Sequence, residues 1–223
     1  DGTWRYIRDK GKVIQWTPEG EPARMSGVHI DLTEMKQRQE EIEYLSFRDQ
    51  LTGLYNRRFF DEERKRLDAP RNLPLSFVMI DVNGLKLAND MLGHDAGDRI
   101  LQRIAEILQS ECRQDDIIAR IGGDEYVMLL PKTSGTDSES LVARIRERLR
   151  RETADGMPLS AAIGWDTKSD PAEDSIAVLQ RAEDRMYQYK KVESPGFRDR
   201  MLGMTLRMLQ DRKRNDRLRM NRS

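Results

Sequence analysis

One string, Arg120-Ile121-Gly122-Gly123-Asp124-Glu125-Tyr126-Val127-Met128-Leu129-Leu130, narrows the architectures open to this chain. Both flanks have strand character, and paired glycines between strands mark a tight hairpin whose central residues favour positive φ. Asp124 and Glu125 then stand at an exposed tip, where ionised carboxylates keep their water. Two adjacent carboxylates repel each other, so the arrangement makes best sense if a divalent cation lies between them and another acid. Alone, the same four residues also suit a polar turn. The cation reading needs a third acid.

That acid lies upstream. Leu75-Ser76-Phe77-Val78-Met79-Ile80 is a short apolar run of strand formers ending at Asp81. Acids at the carboxyl ends of buried strands are where open α/β sheets handle ligands. Val82-Asn83-Gly84-Leu85-Lys86 follows as a loop in which glycine permits close backbone approach to a phosphate and lysine adds charge. Asp81 would also serve as a simple helix cap, but capping leaves its pairing with the acidic hairpin unexplained.

Between these points runs Asn89-Asp90-Met91-Leu92-Gly93-His94-Asp95-Ala96-Gly97-Asp98. Asn89 is expected to end a short helix. A second helix, from Asp95 to about Cys112, is marked by Ile100, Leu101, Ile104, Ala105, Ile107 and Leu108 at helical spacing. Asp95 reads as its N-cap and Asp98 as its third residue, a capping-box position. The functional alternative is base recognition. A carboxylate accepts from the N1–H and amine of guanine while an amide covers its remaining groups.

These spaced motifs resemble the GGDEF-domain diguanylate cyclases, from about Phe47 to Lys191. The opening motif is Asp49-x-Leu51-Thr52-Gly53-Leu54-x-Asn56-Arg57-Arg58, followed by Asp81, the Asn89–Asp98 segment and Gly122–Tyr126. The resemblance implies an α/β fold, nucleotidyl-cyclase-like and ferredoxin-related, with a central mixed sheet flanked by helices. It implies that two GTP become cyclic di-GMP and two pyrophosphates, with one GTP on each subunit of a homodimer. Asp81, the Val82 carbonyl, Asp124 and Glu125 would hold two Mg²⁺ or Mn²⁺, and Asp124 or Glu125 would take the proton of the attacking 3′-hydroxyl. Asn89 and Asp98 would bind guanine. The amides of Asn83, Gly84 and Leu85, with Lys86 and Lys190, would hold the outer phosphates.

Two departures from the common pattern stand out. The second acid after the strand is Asn83, with Gly84-Leu85 in place of a bulky pair, and the arginine of the usual closing motif falls on Ser194. Both feed a rival expectation, a catalytically weak domain that binds GTP or cyclic di-GMP and regulates a neighbour. Arg113-Gln114-Asp115-Asp116 has the Arg-x-x-Asp form of the family's product-inhibition site, in which arginine forks onto a phosphate or guanine. A solvated turn is its plain alternative.

Outside this core, residues 1–32 read as three strands, Trp4–Ile7, Lys12–Trp16 and Ala23–Ile30, with turns at Asp9-Lys10-Gly11 and Pro18-Glu19-Gly20. They resemble the last strands of a PAS sensor domain, with Trp4 and Trp16 as sheet-packing residues. Residues 33–48 read as a linker helix capped by Thr33, whose Met35, Ile42 and Leu45 form a short seam. Residues 49–192 hold the GGDEF domain, with helices Thr136–Arg151 and Asp174–Lys190 and a strand Leu159–Trp165. The last helix would pack on the core through Ile176, Leu179, Ala182 and Met186.

Pro195-Gly196 is expected to break that last helix. Beyond it, a basic amphipathic tail to residue 223 presents Met201, Leu202, Met204, Leu206, Met208, Leu209 and Leu218. It reads as a connecting helix, like those preceding HD-GYP output domains, rather than a partner for membranes or nucleic-acid polymers. Charged residues make up 35% of the 223, and one cysteine with two histidines offers neither a disulfide framework nor a zinc cluster. A cytoplasmic setting, where GTP is found, fits that composition.

Overall fold

Leu75–Val82 is buried along its whole length, which marks it as a central strand covered on both faces. The computed structural model describes residues 4–220, apart from the side chains of residues 40, 41, 43, 194, 195, 198 and 205–220. The chain divides into two units, Asp1–Ser46 and Phe47–Ser223.

In chain order the larger unit contains β3 (Tyr55–Asn56), α2 (Arg57–Leu67), β4 (Leu75–Val82), α3 (Leu85–Leu92) and α4 (His94–Glu111). Then come β5 (Ile117–Arg120), β6 (Glu125–Leu130), α5 (Gly135–Arg151), β7 (Thr153–Ala154), β8 (Met157–Pro158), β9 (Ala161–Lys168) and α6 (Ser175–Met220). The smaller unit holds β1 (Ile7–Trp16) and β2 (Pro22–Asp31), and α1 (Thr33–Phe47) follows them.

Five strands form one mixed sheet in the order β3-β5-β6-β4-β9, parallel only between β3 and β5. Strand alternation divides the apolar residues into two cores. Val78, Ile80 and Val82 join Ile104 and Leu108 of α4 and Ile145 of α5 on one face. Leu75, Phe77 and Met79 join Phe60 of α2 and Val178, Ala182 and Met186 of α6 on the other. On β9, Gly164 lies directly beneath the α6 backbone at Ala182 and Met186, where any side chain would collide. The α/β architecture matches the expected fold.

Several local expectations give way. Asp9-Lys10-Gly11 is not a turn: β1 runs through it, each residue paired with β2 at His29, Val28 and Gly27. Continuous pairing to a neighbouring strand outweighs the local turn signal. Trp4 and Trp16 are 94% and 60% exposed rather than packed, since a two-stranded ribbon has no second layer of its own. Thr33 does not cap α1. Its hydroxyl accepts from the Tyr6 amide, and Asp31 takes the Thr33 N–H instead.

In the larger unit the N-cap of α4 is Gly93, so Asp95 falls in the first turn. On α6, Ile176 is exposed, and Val178 takes the core position instead. Pro195-Gly196 does not break α6, which continues as one helix to Met220. A proline inside a helix costs about 3 kcal/mol. Phe197 and Met201, only 3% and 1% exposed, offset it at about 2 kcal/mol each. The tail positions Leu206, Met208, Leu209 and Leu218, and the Ser194 side chain, lie outside the described side chains.

Candidate active site

Asp81 is the penultimate residue of β4, on the face that α6 covers, and its register partner across the ladder is Glu125, the first residue of β6. Directly opposed residues of an antiparallel pair project from the same face within about 5 Å of each other. Asp124 is tied in as well, because its carbonyl accepts from the Val82 amide at 2.9 Å. The sheet therefore brings together three acids that are far apart in the chain.

Asp81 is the most constrained of them, at 4% exposed. Lys190 on α6 donates to its Oδ2 at 2.6 Å, while the buried Oδ1 has no hydrogen-bond partner. Burial pushes its pKa above the ordinary carboxylate range. The charges of Asp124 and Glu125 push the same way, against the pull of Lys190. A buried oxygen left without a partner costs about 1–3 kcal/mol, and a bound cation would remove that cost. Hard oxygen donors of this kind suit Mg²⁺ or Mn²⁺. Among the described residues, however, no three acids, histidines or cysteines are gathered into a ready cage. Lys190 holds Asp81, and Glu125 lies 4.0 Å from the Arg57 guanidinium.

The hairpin differs from its expected geometry. Ile121 N–H donates to the Glu125 carbonyl at 2.9 Å, leaving a three-residue loop, Gly122-Gly123-Asp124. Neither glycine needs a positive φ in this wider loop. A Cβ on Gly122 would lie 2.5 Å from Glu125 Oε2, the mobile end of a side chain that can turn aside. Asp124 and Glu125 are half-buried rather than fully exposed.

On the phosphate side, Gly84 caps α3 with φ +76°, a conformation that disfavours other residues. The first amides of α3, beginning at Leu85, have no partners within the helix and present positive dipole ends to an anion. Lys86 is exposed in that turn. The Asn83 amide is not available to a phosphate. It donates to the Ser160 carbonyl at 2.9 Å, and the Asn83 side-chain amide donates to the Ser160 hydroxyl at 2.9 Å. Asn83 clips the turn to the start of β9.

Asn89 on α3 has a buried, unpartnered Oδ1 packed against Gly97 of α4, one residue before the exposed Asp98. Glycine at 97 is what lets the two helices close around that amide. Arg113 and Asp116 share a cavity of about 270 Å³ with Arg48, Tyr55, Gln109 and Cys112. Asp116 accepts from the Arg113 amide at 2.7 Å, and burial, chiefly, raises its pKa.

Residues 46–194 match the family described as "Diguanylate cyclase, GGDEF domain". The chain belongs to that family. Diguanylate cyclase DgcM of Escherichia coli K12 is 32% identical over 194 residues, covering 85% of this chain and 46% of that protein. The response regulator PleD of Caulobacter vibrioides is 34% identical over 160 residues, covering 66% and 34%. The chain spans less than half the length of these curated relatives. Among solved structures, Pseudomonas aeruginosa diguanylate cyclase SiaD, in complex with its activator SiaC, aligns with a TM-score of 0.61 at 30% identity. That alignment covers 72% of this chain and 64% of SiaD.

Within this GGDEF domain, three supports of the signature loop escaped the sequence reading. Arg120 donates to both Asp49 oxygens at 3.1 and 3.2 Å and to the Gly123 carbonyl at 2.7 Å. Asp49 also accepts from the Thr52 amide and hydroxyl. Burial alone would raise its pKa, but the Thr52 bonds and Arg120 outweigh burial and hold it below the usual range. Arg57 donates to the Ile121 carbonyl at 2.9 Å. Asp49 and Arg57 belong to the opening motif and Arg120 precedes the glycines, so their positions were visible but their role was not. No described helix is long and apolar enough to cross a membrane.

Proposed function

We propose that this chain is the catalytic domain of a diguanylate cyclase, condensing two GTP into cyclic di-GMP and two pyrophosphates. The register of β4 against β6 carries the reading, because it sets Asp81, with its unpartnered buried oxygen, directly opposite Glu125 and beside Asp124. In this reading Asp81, the Val82 carbonyl, Asp124 and Glu125 hold two Mg²⁺ or Mn²⁺. Bound there, the cations polarise the α-phosphate and offset the charge of the departing pyrophosphate.

The chain's own groups do the rest. Asp124 or Glu125 accepts the 3′-hydroxyl proton as that oxygen bonds to the α-phosphorus of the facing GTP. The bond from α-phosphorus to the bridging oxygen breaks, and pyrophosphate leaves with the electron pair. The reciprocal exchange closes the ring, which requires a homodimer with one GTP on each subunit. Asn89 and Asp98 select guanine, since polar pairing of this kind rejects bases lacking the donors by about 10⁴. The Gly84 and Leu85 amides, Lys86 and Lys190 hold the outer phosphates. Arg113 and Asp116 hold the product, and Arg48, stacked 3.7 Å over Tyr55, offers a second cation in that cavity.

Turnover tests the reading. Incubated with GTP and Mg²⁺, the protein should yield cyclic di-GMP by chromatography, and Asp124→Ala should yield none. Tight GTP binding without any product from the wild type would leave a nucleotide-binding regulatory module instead.

A further inference from the structure

The turn that follows Asp81 is braced from an unexpected direction. A Cβ on Gly84 would lie 2.8 Å from Met201 Sδ and 2.9 Å from Phe197 Cε1. Both side chains come from the part of α6 beyond Pro195, and both are buried in the core cluster that contains Val82. The turn is also clipped by the two Asn83–Ser160 hydrogen bonds. Glycine at position 84 is thus needed twice, for φ +76° and for the space that Phe197 and Met201 fill.

The same helix carries Lys190, which donates to Asp81. Lys190 and Phe197 are seven residues apart on this helix, about two turns or 10 Å, with Pro195-Gly196 between them. A shift or rotation of α6 would therefore move the partner of Asp81 and the brace of the phosphate turn together.

We propose that Phe197 and Met201 are positioning residues for the nucleotide phosphates. Seated on Gly84, they fix the turn whose amides face the outer phosphates, so the setting of α6 controls phosphate affinity. The inference rests on the GTP-binding reading of the site but not on turnover. It also accounts for the Gly84 departure from the family's bulky pair, because the space is filled from α6.

The test compares GTP with guanosine, which lacks phosphates, by calorimetry on the full chain in Mg²⁺, using a non-hydrolysable GTP analogue. Phe197→Ala with Met201→Ala should weaken analogue binding five- to twenty-fold and leave guanosine binding within two-fold. Should that pair unfold the chain, Phe197→Leu should still weaken the analogue two- to three-fold with guanosine unchanged. In a double-mutant cycle, Gly84→Asn, a residue that tolerates the left-handed conformation, should cost less affinity on Phe197→Ala than on the wild type. Unchanged analogue binding, or equal losses for analogue and guanosine, would overturn the inference. Binding that behaves as stated in a protein making no cyclic di-GMP would refute the cyclase reading alone.

Discussion

Asp49 and Asp81 both serve the loop that carries Asp124 and Glu125, yet their surroundings are opposite. Asp49 accepts from Thr52 twice and from Arg120, and its pKa is held down. Asp81 has one partner, a bare buried oxygen and two acids beside it, and its pKa is driven up. The first is a carboxylate satisfied within the fold. The second is left needing positive charge, which is the mark of a group arranged for a ligand rather than for stability.

That contrast can be broken most visibly at Asp81. Asp81→Asn should reduce cyclic di-GMP formation at least 10³-fold without lowering the melting temperature in metal-free buffer, because it removes a poorly accommodated charge. A drop in both would make Asp81 a structural acid like Asp49. Asp49→Asn should behave in the reverse manner, losing about 2 kcal/mol of stability by urea denaturation as Arg120 and the loop lose their anchor.

The two acids should also respond oppositely to pH. With its pKa lowered on folding, Asp49 contributes stability above about pH 4 that is lost as pH falls through its folded value. With its pKa raised, Asp81 costs stability at neutral pH, and that cost fades as pH falls below its folded value. Stability curves from pH 7 to 3 should therefore be flatter for Asp49→Asn than for the wild type, and steeper for Asp81→Asn. Millimolar Mg²⁺ with a GTP analogue should raise the wild-type melting temperature by a few degrees and leave Asp81→Asn unmoved. Smallest of all, Arg57→Ala should cost about 1 kcal/mol or less, since its bond to the Ile121 carbonyl is exposed to water and its pair with Glu125 is long.

The legible parts of the sequence were those where one physical signal acts alone. The apolar run ending at Asp81 and the helical spacing of Ile100 to Leu108 each imply burial, and β4 and α4 formed where expected. The approach of Asp81 to the acidic hairpin is legible because one strand runs into an acid and another starts from one; the register that sets it opposite Glu125 is not. Local turn chemistry misled where longer-range packing competed with it. Lys10-Gly11 is held straight by β2, and Pro195 is carried through a helix anchored by Phe197 and Met201.

Gly122 and Gly123 sit in a loop that needs no positive φ, because the Ile121–Glu125 bond closes a wider hairpin than the turn rule implies. Local sequence points the Asn83 amide at a phosphate, yet Ser160, distant in sequence, takes it. The Asp49–Arg120 brace was hidden for the same reason: nothing local in either residue names its partner.

Direct observation of the cation offers the sharpest trial of this account. Mn²⁺ should bind the wild-type protein with a GTP analogue, detected by electron paramagnetic resonance, and Asp81→Asn and Asp124→Ala should each weaken that binding at least ten-fold. Equal Mn²⁺ affinity in all three proteins would contradict the claim that these acids share a cation.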